Sequence, residues 1–364
     1  MSLAASIGNQ LKITLFGQSH SKGMGVVIDG LPAGETIDLV RVQAFLERRA
    51  PGRDATATAR KEADKAEILS GLVEGVTCGA PLCAVITNTD TRSRDYEELR
   101  AKPRPGHADY TAWVKSGMAH DIRGGGQFSG RLTAPLCFAG AVALQLLEKR
   151  GITVGAHIAS VADIRDTAFD PVSTTPELLK EVSAKHLAVI SDSKGTAMRE
   201  VILEAKAQGD SVGGVVECCV LGLPAGLGEA FFGSIESRLA AMLFSIPAVK
   251  GVDFGTGFGV AQLLGSQNND AFTYDQTGRI ITKTNNHGGV LGGITTGMPL
   301  LLQAAFKPTP SIATEQQTVD LQQHKNTTLV VTGRHDPCIM PRAVPVVEAA
   351  VAVTLLDILQ EEHQ

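Results

Sequence analysis

The sequence predicts an α+β fold built as a single domain with an internal pseudo-twofold repeat, and three observations carry that prediction. Short strand-like runs and long apolar helical runs both occur in each half of the chain. Three segments recur in the same order: GLPAG at 30–34 and 222–226, GVTCGAPL at 75–82 against GITTGMPL at 293–300, and APLCFAGAVALQLL at 134–147 against VPVVEAAVAVTLLDIL at 344–359. Composition is that of a globular chain, 43% hydrophobic and 20% charged, with a mean hydropathy of +0.08. At 364 residues two domains of about 100 to 200 residues each would be allowed, but ordered internal similarity favours one. Residues 1–364 are therefore read as one domain, with repeat halves at 10–150 and 210–360 and a partly helical insertion at 151–209.

Taken in order, 11–16 and 25–29 read as strands, with GQSHSKG as a tight connection between them. Asp38 can cap a helix whose apolar face is Leu39, Val42, Phe45 and Leu46, ending before Pro51 because the residue preceding a proline is pushed out of the helical region. Residues 82–87 read as a strand. The polar run that follows leads into 104–133, a long irregular segment with three consecutive glycines, two histidines, Tyr110 and Trp113. Thr133 opens an apolar helix with Pro135 in its first turn and Gly151 beyond its end. Further helices are expected from Pro176 to about His186, over 193–208 and over 234–244, with a strand at 212–220. The glycine-rich 245–259 reads as irregular, 300–306 as a strand, and 344–360 as a final helix.

A formal charge of −5 removes the simple electrostatic case for nucleic acid or an anionic membrane, so a bound anion must be held by a local cluster of cations. The N-terminus lacks a basic leader region and no run of eighteen apolar residues occurs; neither a signal peptide nor a membrane span is expected, and the chain reads as cytoplasmic. Six cysteines without CxxC spacing, several inside apolar runs, read as reduced core residues, and no metal site is expected. No P-loop occurs, and GTGFG at 255–259 lacks the third glycine and the strand-to-helix context of a dinucleotide fingerprint.

Four constellations could carry chemistry. Ser19 and His20 sit beside Gly17 and Gly23, where an exposed imidazole with a neighbouring hydroxyl would suit proton transfer and a turn histidine bonded to backbone would look the same. Arg104 and His107 share a stiff turn with the acidic Asp109. Arg334, His335 and Asp336 stand consecutively before a proline, where side chains diverge. FKPTPS at 306–311 offers a lysine and two hydroxyls on a stiffened segment, a reasonable grip for a phosphate. Arg48 and Arg49, followed by Arg53, Arg60 and Lys61, exceed what a helix dipole needs. From residues alone this is an anion-handling site with histidines, and the reaction stays open.

At these residues the chain resembles the chorismate synthase family. GQSHS at 17–21, RPGHADY at 104–110, RGGGQFSGRLT at 123–133, FSIPAVKGVDFG at 244–255 and GRHDPC at 333–338 are similar to that family's ordered motifs. The resemblance implies helices packed between antiparallel β-sheets, a β-α-β sandwich, and a homotetramer. It implies a lyase of the shikimate pathway, acting on 5-enolpyruvylshikimate 3-phosphate by anti-1,4-elimination with reduced FMN. Carried over, His20 would protonate the departing phosphate, His107 would stabilise or protonate the reduced flavin, and Asp336 would assist loss of the C6 hydrogen through flavin N5. Ser19 and Ser129 would support them. Arg48, Arg49, Arg104, Arg131 and Arg334 would neutralise the substrate's carboxylates and phosphate. FMN contacts would come from Gln127, Phe128, Ser129, Pro247, Ala248, Gly292, Lys307, Pro308, Thr309, Pro310, Ser311 and Arg334.

This sequence departs from the family pattern at Gln18, Ala50, Ala55, Gln127 and Phe128, where the family usually carries charged or hydroxyl side chains. No flavin reductase segment is evident, so an external reductase is expected to supply the flavin, with NADPH entering only indirectly. Two other readings fit the same residues: a flavin-dependent oxidoreductase, and a phosphometabolite-binding homologue without turnover.

Overall fold

The computed structural model describes residues 5–52, 56–57, 62–89, 98–331 and 335–362. Helices and antiparallel sheets both build it, as an α+β chain requires. An N-terminal five-stranded sheet runs in the spatial order Ser6–Ile7, Lys12–Gly17, Gly23–Asp29, Leu82–Thr87, Ala66–Ser70. A C-terminal five-stranded sheet runs Val249–Phe254, Leu300–Phe306, Gly214–Leu221, Thr153–Val161, Ile164–Arg165. All pairings in both are antiparallel.

Two apolar helices lie between the sheets. Thr133–Glu148 packs on the N-terminal sheet, Met340–Glu361 on the C-terminal one, and the two pack on each other. Each is apolar almost all round because each is covered on every side. Their length and composition would suit a membrane span, yet 83% and 94% of their most apolar windows are buried inside the protein. Gly140 lets them touch: a Cβ there would lie 2.2 Å from the Ala349 Cβ, so Gly140→Ala overpacks the contact at a cost of about 1 to 3 kcal/mol.

Charged side chains on the second helix tie distant chain to this core. Asp357 accepts the backbone N–H groups of Asn9, Gln10 and Leu11 and pairs with Arg238. Glu348, 2% exposed, accepts both Arg48 Nη atoms, at 2.6 and 2.9 Å, and the Ala156 N–H at 3.1 Å. A carboxylate so placed is tolerated only because donors surround it.

The helix Leu39–Arg49 begins at Asp38, whose side chain accepts from Val40 and Arg41 N–H. Leu82–Thr87 and Thr133–Glu148 form where the periodicity places them. Three expectations need correction. Residues 249–254 are a strand rather than irregular chain: Gly251 sits at a register shift on the sheet edge, where loss of side-chain packing is tolerated. The Thr153–Val161 strand, nine residues long, lies in the stretch read as a partly helical insertion, where no strand was expected, so 151–209 contributes to the sheet. The last helix starts at Met340, with Pro341 in its first turn and Pro345 inside it, because proline is tolerated in the first turn.

Candidate active site

The segment 104–133 folds as a short helix, Asp109–Ser116, followed by three tight turns. It walls a cavity of about 600 Å³, within the roughly 300 to 1,000 Å³ usual for small-molecule sites. The opposite walls come from 244–250, 306–311 and the start of the last helix.

The three glycines are required by space. Gly124, Gly125 and Gly126 have φ of 59°, 82° and 54°, which side chains adopt only with strain. A Cβ on Gly124 would lie 2.4 Å from both Ser19 Oγ and His20 Nδ1, and one on Gly125 would lie 3.0 Å from His107 Nε2. The glycine turn thus brings His20 and His107 onto one piece of backbone from two distant parts of the chain. Ser19 N–H donates to the Gly126 carbonyl at 3.1 Å and locks the arrangement. Ser19 is fully buried and His20 8% exposed, 3.2 Å apart between Oγ and Nδ1. They stand behind Gly124, which itself forms the wall.

His107 faces the cavity. Its Nδ1 lies 2.6 Å from Asp109 Oδ1, and Asp109 also accepts Arg104 Nε at 2.7 Å and Nη2 at 2.8 Å. Burial lowers the His107 pKa, the Asp109 hydrogen bond opposes this, and the Arg104 and Lys307 charges reinforce it. The ring is therefore neutral near pH 7, with Nδ1–H donated to the carboxylate. Arg104 Nη1 reaches Ser311 Oγ at 3.1 Å, joining the 104–110 turn to the 306–311 wall. Lys307 Nζ donates to the Gly106 carbonyl across the same seam; burial, with Lys250 nearby, lowers its pKa.

The arginines are held by buried acids. Arg49 donates to Asp64 at 2.7 Å, to Thr133 Oγ1 at 3.1 Å and to the Gly130 carbonyl at 3.0 Å. Arg131 pairs with Asp64 and, at 3.2 Å, with Glu62. Burial alone would raise the Asp64 carboxyl, but Arg49 and Arg131 outweigh it and keep it below the carboxylate range. Arg342 Nη1 pairs with Asp336 while its Nε donates to the Arg49 carbonyl at 3.0 Å. Each guanidinium is thereby oriented before any ligand arrives, which is what binding an anion without reorganisation requires.

The cavity brings together His107, Arg49, Arg104, Arg131, Asp336, Gln127, Phe128, Ser129, Pro247, Ala248, Lys307, Thr309, Pro310 and Ser311. Pro308 belongs to the same strand exit and is not on the lining. Arg48 points away, committed to Glu348 and stacked 5.2 Å from the Phe45 ring. Gly292 lies in the turn between the strands Val290–Leu291 and Ile294–Thr295, off the cavity wall. Arg334, like Arg53, Ala55, Arg60 and Lys61, lies outside the described residues. Sequence reasoning missed Glu62, Asp64, Lys250 and Arg342, which sit in no periodic pattern and gain meaning only from partners far along the chain.

The family model described as chorismate synthase matches residues 11–360. The chain is 46% identical over 356 residues to a chorismate synthase of Dehalococcoides mccartyi, covering 98% of this chain and 96% of the relative. It is 47% identical over 350 residues to one of Thermococcus kodakarensis, with 96% of each covered. A solved structure titled "Crystal Structure of Chorismate Synthase" superposes with a TM-score of 0.75 at 28% identity, over 98% of this chain and 93% of that one.

Proposed function

Since the chain belongs to the chorismate synthase family, lyases that convert 5-enolpyruvylshikimate 3-phosphate to chorismate and phosphate, we propose that this elimination takes place in the cavity walled by 104–133, 244–250 and 306–311. The observation that carries the assignment is the convergence of His20 and His107 on the Gly124–Gly125 turn beside the preoriented Arg49, Arg104, Arg131 and Arg342. Guanidinium forks suit a substrate with two carboxylates and a phosphate. By the family pattern His20, with Ser19 orienting its ring, delivers a proton to the departing phosphate, although neither side chain lines the cavity in this structure. His107 holds or moves a proton at Nε2, and Ser129 adds a hydroxyl on the same wall. Asp336, steadied by Arg342, assists loss of the C6 hydrogen.

The residues fit reduced FMN. Lys307, Thr309 and Ser311 provide a cation and hydroxyls for its phosphate, and Gln127, Phe128, Pro247 and Ala248 provide uncharged lining. When bound, that cofactor supplies transient electron density that loosens the carbon–phosphate oxygen bond. Arg48, Gly292, Pro308 and Arg334 remain proposed contributors only through the family pattern.

We further propose a homotetramer in the cytoplasm, supplied with flavin by an external NADPH-dependent reductase. Exposed Phe231, Phe232, Phe258, Leu264, Phe272 and Tyr274 support assembly, since subunit contact would take these large apolar side chains out of water. The internal repeat is supported by register. Ile28 pairs with Leu82 in one sheet, and their repeat equivalents Val220 and Leu300 pair in the other.

Anaerobic incubation with 5-enolpyruvylshikimate 3-phosphate and catalytic reduced FMN tests the assignment, with stoichiometric phosphate release expected. Flavin oxidised mole for mole would instead indicate net redox, and binding without phosphate release a non-catalytic homologue.

A further inference from the structure

Asp109 has no role in the chemistry so far, yet four donors converge on it. It opens the helix Asp109–Ser116, and its side chain turns back over the preceding loop. There it accepts the Arg104 backbone N–H at 3.1 Å, Arg104 Nε at 2.7 Å, Arg104 Nη2 at 2.8 Å and His107 Nδ1 at 2.6 Å. The side chain is 2% exposed. Arg104 and His107 hold its carboxyl ionised, far below the ordinary range despite burial. An ionised carboxylate only accepts hydrogen bonds, so the nitrogen of His107 that meets it must carry the proton.

We propose that Asp109 is a positioning residue for the elimination: it fixes His107 as the Nδ1–H tautomer, so that the Nε2 lone pair points to the cavity. Two features of the structure support this. The 2.6 Å contact between Nδ1 and Asp109 Oδ1 fixes which edge of the ring meets the carboxylate, because a turned ring would set a C–H against it in place of the N–H. Arg104 Nη2 also lies 3.1 Å from Nδ1, but Asp109 Oδ1 is nearer to Nδ1, at 2.6 Å, and takes that Nη2 as its own donor at 2.8 Å, so the carboxylate is the favoured partner of Nδ1. An asparagine at 109 would present an amide N–H as readily as an oxygen and leave the tautomer unfixed.

The inference rests on the role given to His107 above, and the test separates the two. Peptide-resolved diethyl pyrocarbonate labelling of the whole protein reads the lone pair directly, because the reagent attacks an accessible unprotonated ring nitrogen. Labelling of His107 at pH 7 is expected to fall severalfold in Asp109→Asn and to return in Asp109→Glu, while exposed His324 serves as the unchanged control. In single-turnover phosphate release, Asp109→Asn should lower kcat by about 10- to 100-fold and move the acid limb of the pH profile, with Asp109→Glu restoring the limb. His107 labelling and a pH profile both unchanged in Asp109→Asn would overturn the proposal whatever happens to kcat, and would leave Asp109 only a support for Arg104. Wild-type turnover in His107→Ala would overturn the role of His107 itself, with the labelling result still deciding whether Asp109 sets its tautomer.

Discussion

His107 and His157 each set Nδ1 against an aspartate, yet their pKa values move in opposite directions. His157 is fully buried in the C-terminal sheet, its Nδ1 3.1 Å from Asp166 and its Nε2 2.7 Å from Glu217. Burial penalises the imidazolium at both rings. At His157 two carboxylates outweigh that penalty and raise the pKa. At His107 burial prevails over the single Asp109, aided by Arg104 and Lys307, and the pKa falls. Asp109 is already matched by Arg104, so it can orient a neutral ring without charging it. A histidine beside an aspartate is therefore no guide to protonation until every charge facing the pair is placed. His157 fastens the strand and the 166–191 segment, through Asp166, which also accepts Ile190 and Ser191 N–H groups at 2.6 and 3.0 Å. His107 keeps one nitrogen for the cavity.

The largest expected effect separates the two by activity. His107→Ala should lower turnover by about 10²- to 10⁴-fold with the fold retained, as single-turnover phosphate release and circular dichroism would show; wild-type rates would remove His107 from the reaction. His157→Ala should do the reverse. It leaves Asp166 and Glu217 buried without their cation, at a cost of about 3 to 5 kcal/mol, while the folded fraction keeps its turnover. A urea midpoint unchanged in that variant would mean that His157 does not hold Asp166 and Glu217 in place.

The two rings also have opposite pH signs. The contribution of His157 is present in full below about pH 6.5 and is lost as pH rises through its raised folded pKa. That of His107 is present above about pH 6.5 and is lost as pH falls through its lowered folded pKa. Relative to His107→Gln, the wild type should thus lose stability as pH drops from 7 to 5, by about 1.4 kcal/mol for each unit of depression. A difference in urea stability that stays flat over that range would break the contrast. The smallest effect belongs to a pair in water. Arg41 and Glu148 meet at 2.6 Å but are 55% and 45% exposed, and Arg41→Ala should change stability by about 0.5 kcal/mol or less. A larger loss would show that burial is not what separates these pairs.

Much of the fold was legible because it is local. The Asp38 cap and the helix running from Thr133 follow from neighbours a few residues apart, and both formed as read. The Val249–Phe254 strand was not legible, because its glycine suggests loop chemistry until Leu300–Phe306 is placed beside it. The site divided in the same way. The segment 104–133 was conspicuous from composition, and its glycines were open to a close backbone approach. Which groups approach them, Ser19 and His20 from distant chain and His107 from the start of the same segment, is decided only by the fold.

The order of strands, helices and motifs, and with it the resemblance to a family of lyases, was determined by the sequence itself, since caps, periodicity and motif spacing are properties of neighbouring residues. The charge and partner of each functional group were decided only by the tertiary structure. Arg48 turned from a ligand-binding candidate into the partner of Glu348, 300 residues away, and His157 became a clasp through Glu217, 60 residues away. Electrostatic energy depends on distance through space and on exclusion of water, and neither is written in the spacing of residues along a chain.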